Sequence, residues 1–100
     1  MPSAAAELDL FLHAIADPAR RRILRALKEK GACSIEGRNT GLCAGDIEER
    51  VKLAQPTVSH HMRILEKAGL VEAQRQGHWR WYRRNESLIV KMTRELKERL

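Results

Sequence analysis

A chain of 100 residues with 43% hydrophobic but only 4% aromatic residues is long enough for one small domain with an aliphatic core. It contains no run of about 18 apolar residues and no secretory signal at its start, so we expect a cytoplasmic protein with no membrane segment. Residues 56–100 carry ten Lys/Arg and five Asp/Glu, whereas residues 1–55 carry nine and eight, which favours a polyanionic partner, although an inert basic surface would give the same counts.

The first 30 residues predict two helices. Asp17 is a good N-cap and Pro18 a favoured first residue for the second helix, which Gly31 would end. A first helix over 8–16 is indicated by apolar residues at helical spacing, namely Leu8, Phe11, Leu12 and Ile15. The second helix would turn Ile23, Leu24 and Leu27 inward. We expect its arginines to face largely outward; they are Arg20, Arg21, Arg22 and Arg25.

Residues 31–45 contain four glycines and show no regular period, which predicts a loop of about a dozen residues. Cys33 and Cys43 bracket this loop, and in a reducing compartment two cysteines are not presumed to form a disulfide. A third helix is predicted from about Ala44 to Val51. Its acidic residues lie in the first turns, where they complement the helix dipole.

The segment 53–71 predicts the second helix of a helix-turn-helix. On a helix of period 3.6 its apolar side chains share one side; they are Val58, Met62 and Leu65, with His61 at the edge. The opposite side carries hydrogen-bonding and cationic groups, namely Ser59, His60, Arg63 and Lys67, together with Pro56. Such a face suits phosphates and base edges of DNA.

Residues 71–84 alternate around a glycine turn and predict a basic β-hairpin, or wing, directly after that helix. Its aromatic residues pack on the domain or form a base-stacking platform for RNA, and packing is the favoured hypothesis; they are Trp79, Trp81 and Tyr82. A fifth helix is predicted over 86–100. The apolar stripes of the first and last helices have no other evident burial and predict a dimer interface; they are Phe11, Leu12 and Ile15, and Met92, Leu96 and Leu100.

Three passages resemble the ArsR/SmtB family of bacterial metal- and stress-sensing repressors. They are Ala16–Leu24, Gln55–Leu65, and Ala68–Val71 with the hairpin that follows. The resemblance covers about residues 8–100. It implies a mainly α winged helix-turn-helix domain over 1–100, with a β-hairpin wing and about five helices, that forms a homodimer on double-stranded operator DNA. Within it, 8–16 and 86–100 would be dimerisation helices, 44–68 the helix-turn-helix and 71–84 the wing.

The family's DNA contacts carry over to matching positions of this chain. On the recognition helix they are Gln55, Thr57, Ser59, His60 and Arg63, and on the wing they are Gln76, Gly77, His78 and Arg80. The chain departs from the family at Ala54, where a serine often caps the recognition helix. Alanine cannot cap, which costs on the order of 1 kcal/mol, and Pro56 offsets part of this by fixing a helical φ.

The segment 42–47 resembles the family's metal-binding Leu-Cys-x-Cys-Asp-Leu sequence, with Cys43 as the first cysteine and Gly45 in place of the second. Cys33 could supply the missing thiolate for a soft ion such as As(III), Cd(II) or Cu(I). Two other hypotheses stay open: a thiol redox switch, or a small buried Cys43 and a Cys33 with no role. The family's second metal site is not expected, because residues 86–100 contain neither His nor Asp.

The isolated His13 predicts a surface or interface residue. His60 and His61 would point about 100° apart, His60 toward DNA and His61 into helix packing. No enzyme is expected, since a phosphate-binding glycine loop and a nucleophile elbow are both missing from the sequence. The leading hypothesis is a homodimeric repressor released from its operator by a soft metal, a metalloid or a thiol-reactive signal. The alternative is a redox-responsive interaction protein on the same fold without sequence-specific DNA binding.

Overall fold

The computed structural model describes residues 3–28, 42–77 and 79–100, without the side chains of Ala4, Gln76 and Trp79. Within these ranges the chain forms five helices and three strands, in agreement with the predicted winged helix. In chain order they are α1 (Ala4–Ile15), α2 (Pro18–Lys28), β1 (Leu42–Cys43), α3 (Ala44–Val51), α4 (Gln55–Lys67), β2 (Val71–Gln76), β3 (Trp79–Arg84) and α5 (Glu86–Arg99). Gly31 and most of the predicted loop lie outside the described residues.

The helix α1 begins at Ala4, four positions before the predicted start at Leu8. Ser3 is its N-cap, and the Ser3 hydroxyl accepts a hydrogen bond from the Ala6 amide at 3.2 Å. The apolar pattern missed this first turn because the pattern reports only the buried side of a helix, whereas alanine favours a helix on any side.

The junction between α1 and α2 follows the prediction at Asp17 and Pro18. The Asp17 carboxylate accepts hydrogen bonds from the amides of Ala19, at 2.8 Å, and Arg20, at 3.2 Å. These two bonds satisfy donors that the start of a helix leaves free, so α2 begins at Pro18. They also lower the pKa of the Asp17 carboxyl, with the Arg20 amide as the largest cause.

One core runs through all five helices and the sheet. Ile23, Ile47, Met62 and Leu65 are among its fully buried side chains. The prediction that the stripes of α1 and α5 have no burial within the chain is wrong for two residues. Phe11 is 3% exposed and Met92 is 1% exposed in the single chain, because both side chains belong to the core, on which Leu12, Ile15 and Leu96 pack while half-buried.

The three strands form an antiparallel sheet in the order β1-β3-β2. The predicted hairpin is β2 and β3, in which Val71 pairs with Arg84 and Gln76 with Trp79. The short strand β1, predicted as part of the loop, pairs Leu42 with Tyr82 on the other edge of β3. A strand of two residues carries too little sequence pattern to predict, and it forms because the rim of β3 offers unpaired backbone groups.

Neighbouring residues Trp81 and Tyr82 are both buried, at 3% and 6% exposure, although they lie on opposite faces of β3. Tyr82 belongs to the core, and burial is the largest cause of the raised pKa of its hydroxyl. Buried rings cannot stack on bases, so for these two side chains the base-stacking hypothesis is wrong and the packing hypothesis is confirmed. In the part of the chain that the structure describes, no helix combines the length and the hydrophobicity needed to span a membrane.

Candidate nucleic-acid interface

The helix α4 divides sharply into a buried and an exposed side. The buried side consists of Val58, His61, Met62 and Leu65. The exposed side consists of Gln55, Pro56, Thr57, His60, Arg63 and Lys67, while Ser59 is half-buried between them. This division confirms the helical pattern expected for the segment, and it leaves the polar and cationic groups of α4 in contact with solvent.

The first turn of α4 has no side-chain cap, as the sequence suggested for Ala54. The Ala54 carbonyl accepts the Val58 amide at 3.0 Å, but no side chain bonds to the free amides at this end. Pro56, at the start of the helix, has no amide hydrogen to satisfy. The Gln55 side-chain amide donates to the Ser59 hydroxyl at 2.8 Å, so these two predicted contact residues are held together one turn apart.

The only acid of α4, Glu66, is engaged by the hairpin. The Glu66 carboxylate lies 3.3 Å from the guanidinium of Arg80 on β3. The Arg80 guanidinium also lies 5.6 Å from the centre of the Tyr82 ring. Because Arg80 neutralises Glu66, the charge balance of the exposed side of α4 is left positive by Arg63 and Lys67.

The structure places the predicted wing residues only in part. Gly77 lies in the turn with φ of 58°, a left-handed conformation that glycine adopts without strain. Gln76 ends β2, and its side chain is not described. His78 lies outside the described residues. Arg80 is therefore the one predicted wing contact whose side chain can be related to α4.

A buried arginine supports α4 from behind, and the expectation that the α2 arginines face largely outward is wrong for it. Arg20 is 7% exposed. The Arg20 guanidinium donates to the carbonyls of Ala14, at 2.7 Å, and His13, at 3.0 Å, and lies 3.2 Å from Nδ1 of His61. The signal was present in the sequence, since Arg20 precedes Ile23, Leu24 and Leu27 by three, four and seven positions and so shares their side of α2.

Two other α2 arginines, Arg21 and Arg22, are exposed and also bond to backbone carbonyls. Arg21 donates to Ile15 at the end of α1, at 2.7 Å, and Arg22 donates to Val51 at the end of α3. Cationic groups at the carboxyl ends of helices satisfy free carbonyls and complement the helix dipole. Through these hydrogen bonds α2 contacts both the carboxyl end of α1 and the carboxyl end of α3.

The sequence and the fold are both similar to those of known helix-turn-helix regulators. A model of the helix-turn-helix domain family matches residues 15–74. The arsenical resistance operon repressor of Staphylococcus aureus is 34% identical over 83% of this chain and 70% of its own length. An HTH-type transcriptional regulator of Methanocaldococcus jannaschii, MJ1325, is 41% identical over 69% of this chain and 67% of its own. The crystal structure of an ArsR family transcriptional regulator, 22% identical, covers 99% of this chain and 92% of its own, with a TM-score of 0.75.

The chain belongs to the ArsR/SmtB family of winged-helix transcriptional regulators. These proteins are DNA-binding regulators and not enzymes, as the sequence predicted. The matched helix-turn-helix region, residues 15–74, contains α2, α3 and α4, and the small antiparallel sheet forms the wing. The buried side of α4 thus belongs to the shared fold, whereas its exposed side is available to a ligand.

The cysteine of this ArsR/SmtB chain that the structure describes, Cys43, is buried at the start of α3. The Cys43 thiol donates to the Asp46 carboxylate, with sulfur and oxygen 3.1 Å apart. Within residues 3–28, 42–77 and 79–100, no group of three or more metal-binding side chains is assembled. Cys43 and Asp46 offer one soft and one hard donor, and Cys33, the second thiolate expected from the sequence, lies outside the described residues.

Proposed function

We propose that this chain is a homodimeric repressor that binds double-stranded operator DNA with the exposed side of α4 and with the wing. The observation that carries the proposal is the exposed side of α4, where Arg63, His60 and Lys67 meet solvent and the single acid pairs with Arg80. A helix with one apolar side in the core and one cationic side in solvent fits the dimensions of a major groove.

The side chains divide by what they can recognise. Arg63 presents a planar group that pairs with guanine in two hydrogen bonds, and His60 can bond to a base edge or a phosphate. Gln55, Thr57 and Ser59 lie at the amino end of α4 and offer hydrogen-bonding groups to the adjacent bases and phosphates. On the wing, Gln76, Gly77, His78 and Arg80 are proposed as contacts to the flanking DNA.

The dimer is proposed to form through α1 and α5. Two large apolar side chains of this region are exposed in the single chain: Leu100, at the end of α5, is 96% exposed, and Val90, within α5, is 54% exposed. A two-fold dimer would place two α4 helices in successive major grooves, about 34 Å apart. Sedimentation of a stable monomer at micromolar concentration would contradict this assembly.

The direct test uses fluorescence anisotropy with the DNA upstream of the chain's own gene and with a scrambled duplex of equal length. A repressor should bind an inverted repeat in the upstream DNA at least about a thousandfold more tightly than the scrambled duplex at one fixed salt concentration. Equal affinities for both duplexes would refute the repressor and favour an interaction protein on the same fold.

For the signal we propose a soft metal, a metalloid or a thiol-reactive compound acting at Cys43, with Cys33 as second donor. Support comes from the position of Cys43 at the N-cap of α3, next to the helix-turn-helix, and from relatives that repress arsenical resistance operons. Binding near α3 would bias the dimer toward a spacing that does not match the operator, and about 1–3 kcal/mol of coupling is usual.

The cysteine variants separate the hypotheses for this signal. Cys43→Ser should abolish release from DNA by As(III) or Cd(II), and Cys33→Ser should weaken it, because Cys43 is the N-cap of α3 and lies next to the helix-turn-helix. Neither change should alter DNA affinity in the absence of metal, which serves as the control. If the double serine variant responds as the parent does, both cysteines are structural.

A further inference from the structure

A buried hydrogen-bond cluster joins α4 to the corner between α1 and α2. We call the group formed by Arg20, His61 and the carbonyls of His13 and Ala14 the corner cluster. In the described part of the chain two polar or charged residues are buried: Arg20 is 7% exposed and His61 is 9% exposed. Through this cluster the end of α1, the start of α2 and the buried side of α4 share one guanidinium.

The chemistry of the cluster determines the protonation of His61. A guanidinium has only donors, so the 3.2 Å contact requires Nδ1 of His61 to accept and its proton to sit on Nε2. Protonated His61 has no free lone pair, and it would place a second positive charge beside Arg20. The corner cluster therefore exists only while His61 is neutral.

The surroundings of His61 favour the neutral form at physiological pH. Burial lowers the pKa of His61, and the charges of Arg20 and His60 lower it further, whereas the Asp17 carboxylate opposes them. Asp17 comes from the α1–α2 corner, where it lies 4.0 Å from the Arg20 guanidinium. The other described side chains that share the buried side of α4 with His61 are apolar.

We propose that His61 is a positioning residue for DNA recognition, and that its protonation breaks the corner cluster and weakens operator binding. The inference rests on the proposed function of α4. His60 is the neighbour of His61 on α4, and its side chain is exposed. A shift of the α4 backbone at His61 therefore also moves the surface that is proposed to contact DNA. Protonation acts through a contact that must break, because a protonated Nδ1 cannot accept from the Arg20 guanidinium.

The test compares operator affinity of the parent and His61→Gln from about pH 8 to about pH 5.5. Glutamine keeps a neutral acceptor for Arg20 but cannot titrate. The ratio of the two dissociation constants cancels the titrating groups that do not interact with His61. We expect the ratio to stay within about twofold at the upper pH and to rise in favour of glutamine as the pH falls, toward a limit of about tenfold for each unit by which operator binding lowers the pKa of His61.

The control is His13→Gln, which replaces an exposed histidine of α1 and leaves its carbonyl in the corner cluster. This variant should follow the parent at every pH. A parent-to-His61→Gln ratio that does not change with pH would overturn the inference. A ratio that changes equally for His13→Gln would also overturn it, because the effect would then be general surface charge.

A second measurement needs neither a variant nor DNA. Nuclear magnetic resonance of the parent should show the backbone amides of Thr57 and Arg63 shifting with the same midpoint as the His61 ring. If operator binding fails at every pH while these amides follow His61, the proposed function is wrong and the role of His61 in DNA recognition falls with it, whereas the coupling between His61 protonation and α4 stands. If the amides do not follow His61, the inference is wrong whatever the DNA result.

Discussion

Arg20 and Arg63 are the same residue type on two helices, and the surroundings give them opposite tasks. The Arg20 guanidinium is buried and bonds to two carbonyls and to His61. Arg63 is exposed, and within the described residues no hydrogen bond or ion pair holds it. A basic sequence therefore supplies charge for two purposes: a buried guanidinium whose donors are used inside the fold, as in Arg20, and an exposed one whose donors remain open to a ligand, as in Arg63.

The same contrast holds for the adjacent histidines. His61 is 9% exposed and bonds inside the corner cluster, whereas the His60 side chain points about 100° away and is exposed. Their rings are 5.5 Å apart between centres, so two side chains in contact with each other divide between core and surface. Adjacent positions of a helix point about 100° apart, so at the edge of the buried side of α4 one step along the chain is enough to bring His60 into solvent.

The largest expected effect comes from removing the buried arginine. Arg20→Ala should lower the free energy of unfolding by about 2–4 kcal/mol, because two carbonyls and the His61 ring lose their donor in a buried place. Urea denaturation followed by circular dichroism measures this loss. Arg63→Ala is the matched control and should change stability by less than about 0.5 kcal/mol. Equal losses for both variants would end the distinction between the two arginines.

The next effect concerns the exposed side. Arg63→Ala and His60→Ala should each weaken operator binding by about 1–3 kcal/mol if they contact base edges. Arg94→Ala replaces an exposed arginine of α5 and should leave the operator affinity close to that of the parent. Anisotropy titrations at constant salt give these values. A loss that is the same on operator and scrambled DNA would assign Arg63 and His60 to phosphate contacts.

The smallest effect sharpens the comparison at the start of α4. Ala54→Ser should stabilise the protein by about 1 kcal/mol, since a hydroxyl at the N-cap accepts one of the free amides of the first turn. Thermal unfolding should show a higher midpoint. Ala54→Val is the control, because valine has no acceptor and should not raise the midpoint. A gain of similar size for valine would show that packing, and not capping, limits this end of the helix.

Local pattern was sufficient for much of this protein. The apolar period of α4 predicted which side is buried, Asp17 and Pro18 predicted the start of α2, and the alternation over 71–84 predicted the wing. These features depend on residues within a few positions of one another, so neighbouring sequence carries them. The resemblance to the ArsR/SmtB family, based on three short passages, was confirmed by comparison with known proteins.

Tertiary structure decided the features that depend on distant residues. The burial of Arg20 requires carbonyls from α1 and a ring from α4, which lies 41 positions away. The strand β1 requires the free edge of β3, and the burial of Phe11 and Met92 requires α1 and α5 to pack in one chain. A charge can leave water only where partners from elsewhere arrive to bond it, and sequence by itself does not state where those partners lie.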